Sequence, residues 1–185
     1  MNLLASNPVR VAEFTKKSSK PLHLSSLQIQ IPATIGLMPA CSQTLRTMFE
    51  VFDHTADLGL RVRTSSFDEL FVESGRALFS VIVANPTTVR PLQEKTIRIE
   101  GSNHEQDYWL FDWLSELLYV FETERLLLCE FNVSFDDAQL VAVCRGETAD
   151  PQRHELEHEV KAITYHDLIL RQENGGWLAE FIVDI

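Results

Sequence analysis

From residue 48 onward the apolar positions keep regular periods, and the period changes along the chain. Phe49-Glu50-Val51-Phe52 is a short strand-like run. Leu58, Leu60 and Val62 alternate with Gly59, Arg61 and Arg63, which predicts a half-buried strand. Ser66-Phe67-Asp68-Glu69 has the form of a capping box. Behind it Phe67, Leu70, Phe71, Ser74, Leu78, Val81 and Ile82 fall at helical spacing, up to a stop at Asn85-Pro86. Residues 96–100 alternate as a strand, and Ser102 or Asn103 is placed to cap a second helix. Its stripe (Trp109, Leu110, Trp113, Leu114, Leu117, Leu118, Phe121) is wide enough to pack on a sheet, with the tryptophans read as core. After Arg125 the period becomes two. Phe131, Val133 and Phe135 lead to a turn at Asp136-Asp137-Ala138-Gln139, and residues 140–144 return as a hairpin. Residues 146–153 read as a loop. Residues 159–165 and 167–171 are strand-like with a kink near His166. Asn174-Gly175-Gly176 is a hairpin turn, and residues 177–185 form a last strand. The order predicts an α+β fold, two helices packed on mostly antiparallel or mixed sheet, with a strand-helix-strand-strand succession occurring twice.

Residues 1–47 are a different kind of chain, rich in Ser, Pro, Lys and Gln and without a lasting amphipathic period. They lack the basic start and unbroken apolar core of a secretory signal. Their basic, acid-poor composition is shared by transit peptides. The expectation is a disordered extension, or an artefact of a start upstream of Met48. Charge makes the same division. Arg10, Lys16, Lys17, Lys20 and Arg46 against Glu13 give residues 1–47 a net +4; the whole chain is −11, so residues 48–185 carry −15. A domain so acidic repels phosphate backbones, which argues against direct nucleic-acid binding and for a basic protein partner or a cation held by carboxylates. No apolar run approaches membrane-spanning length. The three cysteines (Cys41, Cys129, Cys144) have no CxxC spacing and suit reduced, buried thiols in the cytoplasm.

Two patterns carry candidate chemistry. His154-Glu155-Leu156-Glu157-His158 matches the HExxH zinc-protease pattern, which needs both histidines on one face of a regular helix. Pro151 before it and the β-prone residues 160–165 after it argue against that helix, although Leu156, Val160 and Ile163 also fit a helical stripe. The second pattern joins the two ends of the domain. The corner Asp53-His54-Thr55-Ala56-Asp57-Leu58-Gly59 interrupts two strands with carboxylates and an imidazole. Asp184 is the penultimate residue, and Ile185 adds the α-carboxylate. If the first and last strands are neighbours, Asp57, Asp184 and Ile185 converge and call for a cation, and oxygen donors choose Ca²⁺, Mg²⁺ or Mn²⁺ over zinc. Glu147 and Lys161 are candidates to complete the site, Lys161 as a charge partner. On sequence logic alone the plain reading, a turn and a frayed, solvated terminus, comes first. No phosphate-cradling Gly-rich loop is present.

The blocks at residues 53–60, 113–119 (WLSELLY), Gly146-Glu147, 159–166 (EVKAITYH) and the terminal Val183-Asp184-Ile185 together resemble the archease family, in order and at family-like spacing over residues 48–185. The resemblance implies an α+β fold with an intertwined duplicated unit. It implies a non-enzymatic protein cofactor of the guanylylating tRNA-splicing ligase, which joins 3′-phosphate or 2′,3′-cyclic-phosphate ends to 5′-hydroxyl ends. Such a cofactor promotes guanylylation and multiple turnover of the ligase and broadens its nucleotide use. RNA would be met only through the ligase. The resemblance implies a metal site at Asp57, Asp184 and Ile185, with Ca²⁺ first and Mg²⁺ or Mn²⁺ as alternatives. Partner activation would use Asp57, Lys161 and Asp184, with His54 and Glu147 nearby. Two other classes stay open: a chaperone-like modulator of RNA-modifying enzymes such as a methyltransferase, and a metallohydrolase on His154, Glu155 and His158.

Overall fold

A computed structural model describes residues 49–54, 57–101, 106–136 and 139–185. The expectations for residues 1–47 and for a helix cap at Ser102 or Asn103 lie outside the described residues. Seven strands and two helices follow in the order β1 Phe49–His54, β2 Asp57–Thr64, α1 Phe67–Ile82, β3 Gln93–Glu100, α2 Gln106–Glu124, β4 Leu126–Phe135, β5 Gln139–Thr148, β6 Ala162–Glu173 and β7 Gly176–Asp184. They form two sheets, of order β1-β2-β7-β6 and β3-β5-β4. Every paired strand is antiparallel. The α+β expectation holds.

The strand periods decide which faces are buried. Leu60 and Val62 of β2 and Ala179, Phe181 and Val183 of β7 are buried, while Arg61 and Arg63, which alternate with the former, face outward. Both helices touch both sheets: α1 lies against β2, β7 and β4, and α2 against β6, β3 and β4. Ten of the sixteen residues of α1 are buried, more than one stripe supplies, because a helix held between two sheets has two covered sides. Trp113 is fully buried, and its Nε1 donates to the Phe71 carbonyl of α1 at 2.9 Å, so the core reading of that residue carries a polar anchor as well. Among the described residues no helix is long and apolar enough to cross a membrane.

Several local readings shift. Ser66 caps α1 by accepting from the Glu69 amide at 3.3 Å, but Glu69 reaches back to Ser65, not Ser66, so the capping box is one-sided. The helix ends at Ile82, before Asn85-Pro86, because Val83 turns extended to pair with Leu156. β5 runs through Gly146 to Thr148, where a loop was expected. Gly146 permits this: a Cβ there would lie 1.8 Å from the Leu127 carbonyl oxygen on β4. The kink near His166 is an interruption of the β6–β7 register between Thr164 and Ile169, with Asp167 at φ 59°. Residues 159–161 lie before β6 begins.

Candidate functional site

The β1–β2 hairpin closes on His54 opposite Asp57. On the other side of β2, Leu58 pairs with Val183, so the next step of the ladder brings Asp57 beside Asp184. Residues directly opposite in an antiparallel sheet share a face. His54, Asp57 and Asp184 therefore form one cross-strand row on the outward face, at the end of the four-stranded sheet. Two rows further along, Arg61 pairs with Glu50 and Glu180, both at 2.6 Å. Those carboxylates have their cation; the terminal row has none in its own ladder.

The C-terminus is held. The Lys161 amide donates to the Asp184 carbonyl at 2.8 Å, and Lys161 Nζ donates to the Ile185 carboxylate at 2.9 Å. The Ile185 side chain packs against the core. The frayed-terminus reading thus gives way to an anchored one. One polar atom here is left over: His54 Nδ1 is buried without a hydrogen-bond partner among the described residues. An unsatisfied buried nitrogen is costly, and a bound group nearby is one way to satisfy it.

Among the described residues no three His, Cys, Asp or Glu side chains are grouped closely enough to hold a metal. The third anion here belongs to the main chain, however. Two carboxylate side chains in one row and an anchored α-carboxylate are the oxygen donors a hard cation takes. The Lys161 ammonium meets the main-chain oxygen of Ile185. The donor chemistry fits a divalent cation held by Asp57, Asp184 and Ile185.

Glu147 is placed elsewhere. It sits in β5, in the three-stranded sheet, and is 4% exposed. Arg90 donates to it through its amide at 2.8 Å and through Nη2 at 2.8 Å, and Arg153 Nη2 lies 2.5 Å away. The two guanidiniums hold the Glu147 carboxyl far below the usual carboxylate range. The structure does not bring it into the row with Asp57 and Asp184. Sequence reading missed Arg90 and Arg153: Arg90 is 57 positions from Glu147, and Arg153, six positions away, lies in what reads as a loop.

His154 completes this second cluster. Its Nδ1 accepts from the Asp150 amide at 2.9 Å, and its Nε2 lies 3.3 Å from Glu147 Oε1, close but off line for a hydrogen bond. Residues 154–158 contain no helix; Leu156 forms a β-bridge with Val83, and the Glu155 amide donates to Asn85 Oδ1 at 3.1 Å. The one-faced helix that the zinc-protease pattern requires is replaced by extended chain, and its first histidine is enclosed by Glu147 and Asp150. Cys144 is likewise structural, its thiol pushed up to about 12 by burial.

The archease protein family model matches residues 49–185. The chain belongs to the archease family. It is 36% identical to the archease of Methanopyrus kandleri over 141 residues, covering 74% of this chain and 99% of that one. It is 38% identical to that of Pyrococcus furiosus over 143 residues, covering 74% and 98%. The solution structure of Methanobacterium thermoautotrophicum protein 1598 superposes with a TM-score of 0.67 at 31% identity, covering 75% of this chain and 99% of that one. The crystal structure of a Thermotoga maritima archease, described as a possible chaperone, matches at TM-score 0.52 and 18% identity over 74% of this chain and 96% of its own, a likeness of fold alone.

Proposed function

We propose that this chain activates a guanylylating tRNA-splicing ligase by presenting the Asp57–Asp184–Ile185 end of its four-stranded sheet to the ligase. Family membership supports the reading, and the observation that carries it is the anchored C-terminus beside Asp57. Ile185 lies next to Asp184, the last residue of β7, and Lys161 and the packing of its side chain hold it there. A −15 domain is suited to approach a basic, RNA-binding enzyme and unsuited to holding RNA itself. Asp57, Asp184 and the Ile185 carboxylate would hold the divalent cation, Ca²⁺ before Mg²⁺ or Mn²⁺. When bound, that cation supplies positive charge at the projecting end. The bond-making chemistry belongs to the ligase, so the chain is an activator and works in the cytoplasm, where its ligase works. Its own residues position: Lys161 fixes the terminal carboxylate, His54 flanks Asp57, and Glu147 stabilises the domain from its own cluster.

The test is turnover of the cognate ligase with GTP, Mn²⁺ and excess broken RNA, with and without this protein. A rise from about one turnover to many is expected, because an activator of guanylylation resets the enzyme after each join. Asp57→Ala and Asp184→Ala should each abolish the rise while leaving the fold intact, since both are only half-buried. If both variants activate normally, this end of the sheet does not act. A chaperone-like modulator is the second reading, favoured by the description of the Thermotoga maritima relative. It expects suppression of client aggregation that survives both substitutions.

A further inference from the structure

Helix α2 carries five acids, Asp107, Asp112, Glu116, Glu122 and Glu124, and no lysine or arginine. Lys95 pairs with Glu124. Asp112, Glu116 and Glu122 form no ion pair among the described residues. Tyr108 and Tyr119 stand among them, 47% and 58% exposed. Eleven residues apart, they lie on the same side of the helix about 16 Å from one another, with Asp112 and Glu116 between them. Tyr165 of β6, 44% exposed, stacks on Tyr108 with centroids 5.2 Å apart and planes at 18°, which extends the aromatic end across the helix–strand junction. Partial desolvation raises the Asp112 carboxyl from its ordinary value. The remaining side of α2 is spent on the core.

We infer that this face of α2 is a docking surface for an extended, arginine-rich segment of a protein partner. The inference stands apart from the reading of the sheet end and needs neither Asp57 nor Asp184. A guanidinium lies flat on a tyrosine ring while its N–H fork meets a carboxylate, and this strip sets two carboxylates, Asp112 and Glu116, between two rings. Lysine, a point charge, uses only half of that offer. A strip of about 16 Å accommodates about five residues of extended chain. The same acids repel a nucleic-acid backbone, so a polyanion does not compete for the site.

The probe is a fluorescently labelled peptide alternating arginine and serine, with a lysine–serine peptide for comparison. Each is titrated by anisotropy against the full chain at about 0.1 M salt, where surface charges still act. Tyr119→Ala should weaken arginine-peptide binding about fivefold, with Tyr119→Phe restoring it, as expected for an aromatic surface anchor. Asp112→Asn with Glu116→Gln should weaken it at least about tenfold, and the lysine peptide should bind at least about threefold more weakly than the arginine peptide. Glu94→Gln with Glu130→Gln makes the same charge change on the three-stranded sheet and should leave binding within about twofold. The inference is overturned if the chain does not bind the arginine peptide, if the sheet variant loses as much as the helix variant, or if Tyr119→Ala binds like the parent.

Discussion

Glu147 and Asp184 both lie at the end of an interior strand, and both are acids, yet their surroundings are opposite. Glu147 is enclosed by Arg90, Arg153 and His154, so its charge is answered from within the chain. Asp184 shares its row with Asp57, adjoins the terminal carboxylate, and has Lys161 as the nearby cation. The first arrangement stabilises a loop against a sheet. The second leaves negative charge outstanding at a fixed place, which costs stability unless something positive arrives. A closed cluster is what a fold builds for itself. An open one points to a ligand or a partner.

The sharpest way to test the contrast is to remove the closed charge. Glu147→Gln leaves two guanidiniums beside a neutral amide. Because Arg90 and Arg153 reach water, the cost should be about 2 kcal/mol, below that of a fully buried pair, read as a drop in the denaturation midpoint. The pH dependence has a definite sign. A carboxyl held below its ordinary 4.5 in the folded state contributes stability that is fully present above that value. That contribution is lost as pH falls from there toward the depressed folded value. Acidification from pH about 6 to about 3 should therefore destabilise the parent more steeply than Glu147→Gln. Parallel profiles would show that Glu147 is not the acid-sensitive clamp described here.

The open cluster should respond to ions in the opposite way. Calcium at ten times its dissociation constant should stabilise the parent by about 1.4 kcal/mol, seen as a rise of several degrees in melting temperature. Asp57→Asn and Asp184→Asn should erase that rise, and Glu147→Gln should keep it despite starting lower. A calcium response that survives both aspartate substitutions would place the ion elsewhere.

How much of this contrast could be read in the sequence depends on the range of each interaction. The helix stripes, the β4–β5 hairpin and the Asn174-Gly175 turn are local patterns and were legible; Asn174 at φ 52° and Gly175 at φ 80° make the two-residue turn that the dipeptide predicts. The neighbouring of β2 and β7 was available only as a condition, because nothing near Asp57 reports a strand 120 residues later. Resemblance bridged that gap, and the pairing of β2 with β7 meets the condition that the two strands are neighbours, while the ligand role of Asp57, Asp184 and Ile185 stays a proposal. Glu147 went the other way. It stands in a block that resembles the family, and the block suggested the site, but its charge is consumed by Arg90 and Arg153. The tyrosines of α2 were passed over because reading for the core discards the positions that fall off the apolar stripe.

Lys161 tests the contrast most finely, since it is the cation that partly closes the open cluster. Its ammonium lies on the Ile185 carboxylate and competes with any ion for that oxygen. Two expectations can be separated. If Lys161 serves chiefly to order the terminus, Lys161→Met should weaken calcium binding. The structure favours the other sign, because the Lys161 amide and the packed Ile185 side chain hold the terminus without the ammonium. Lys161→Met should then bind calcium about two- to fivefold more tightly in dilute buffer, the difference shrinking in about 0.5 M salt as screening removes the repulsion. Ligase activation should fall in the same variant. Tighter ion binding with weaker activation would assign Lys161 to the partner. Both falling together would return it to the terminus, and the row would then be closer to the Glu147 cluster than its geometry suggests.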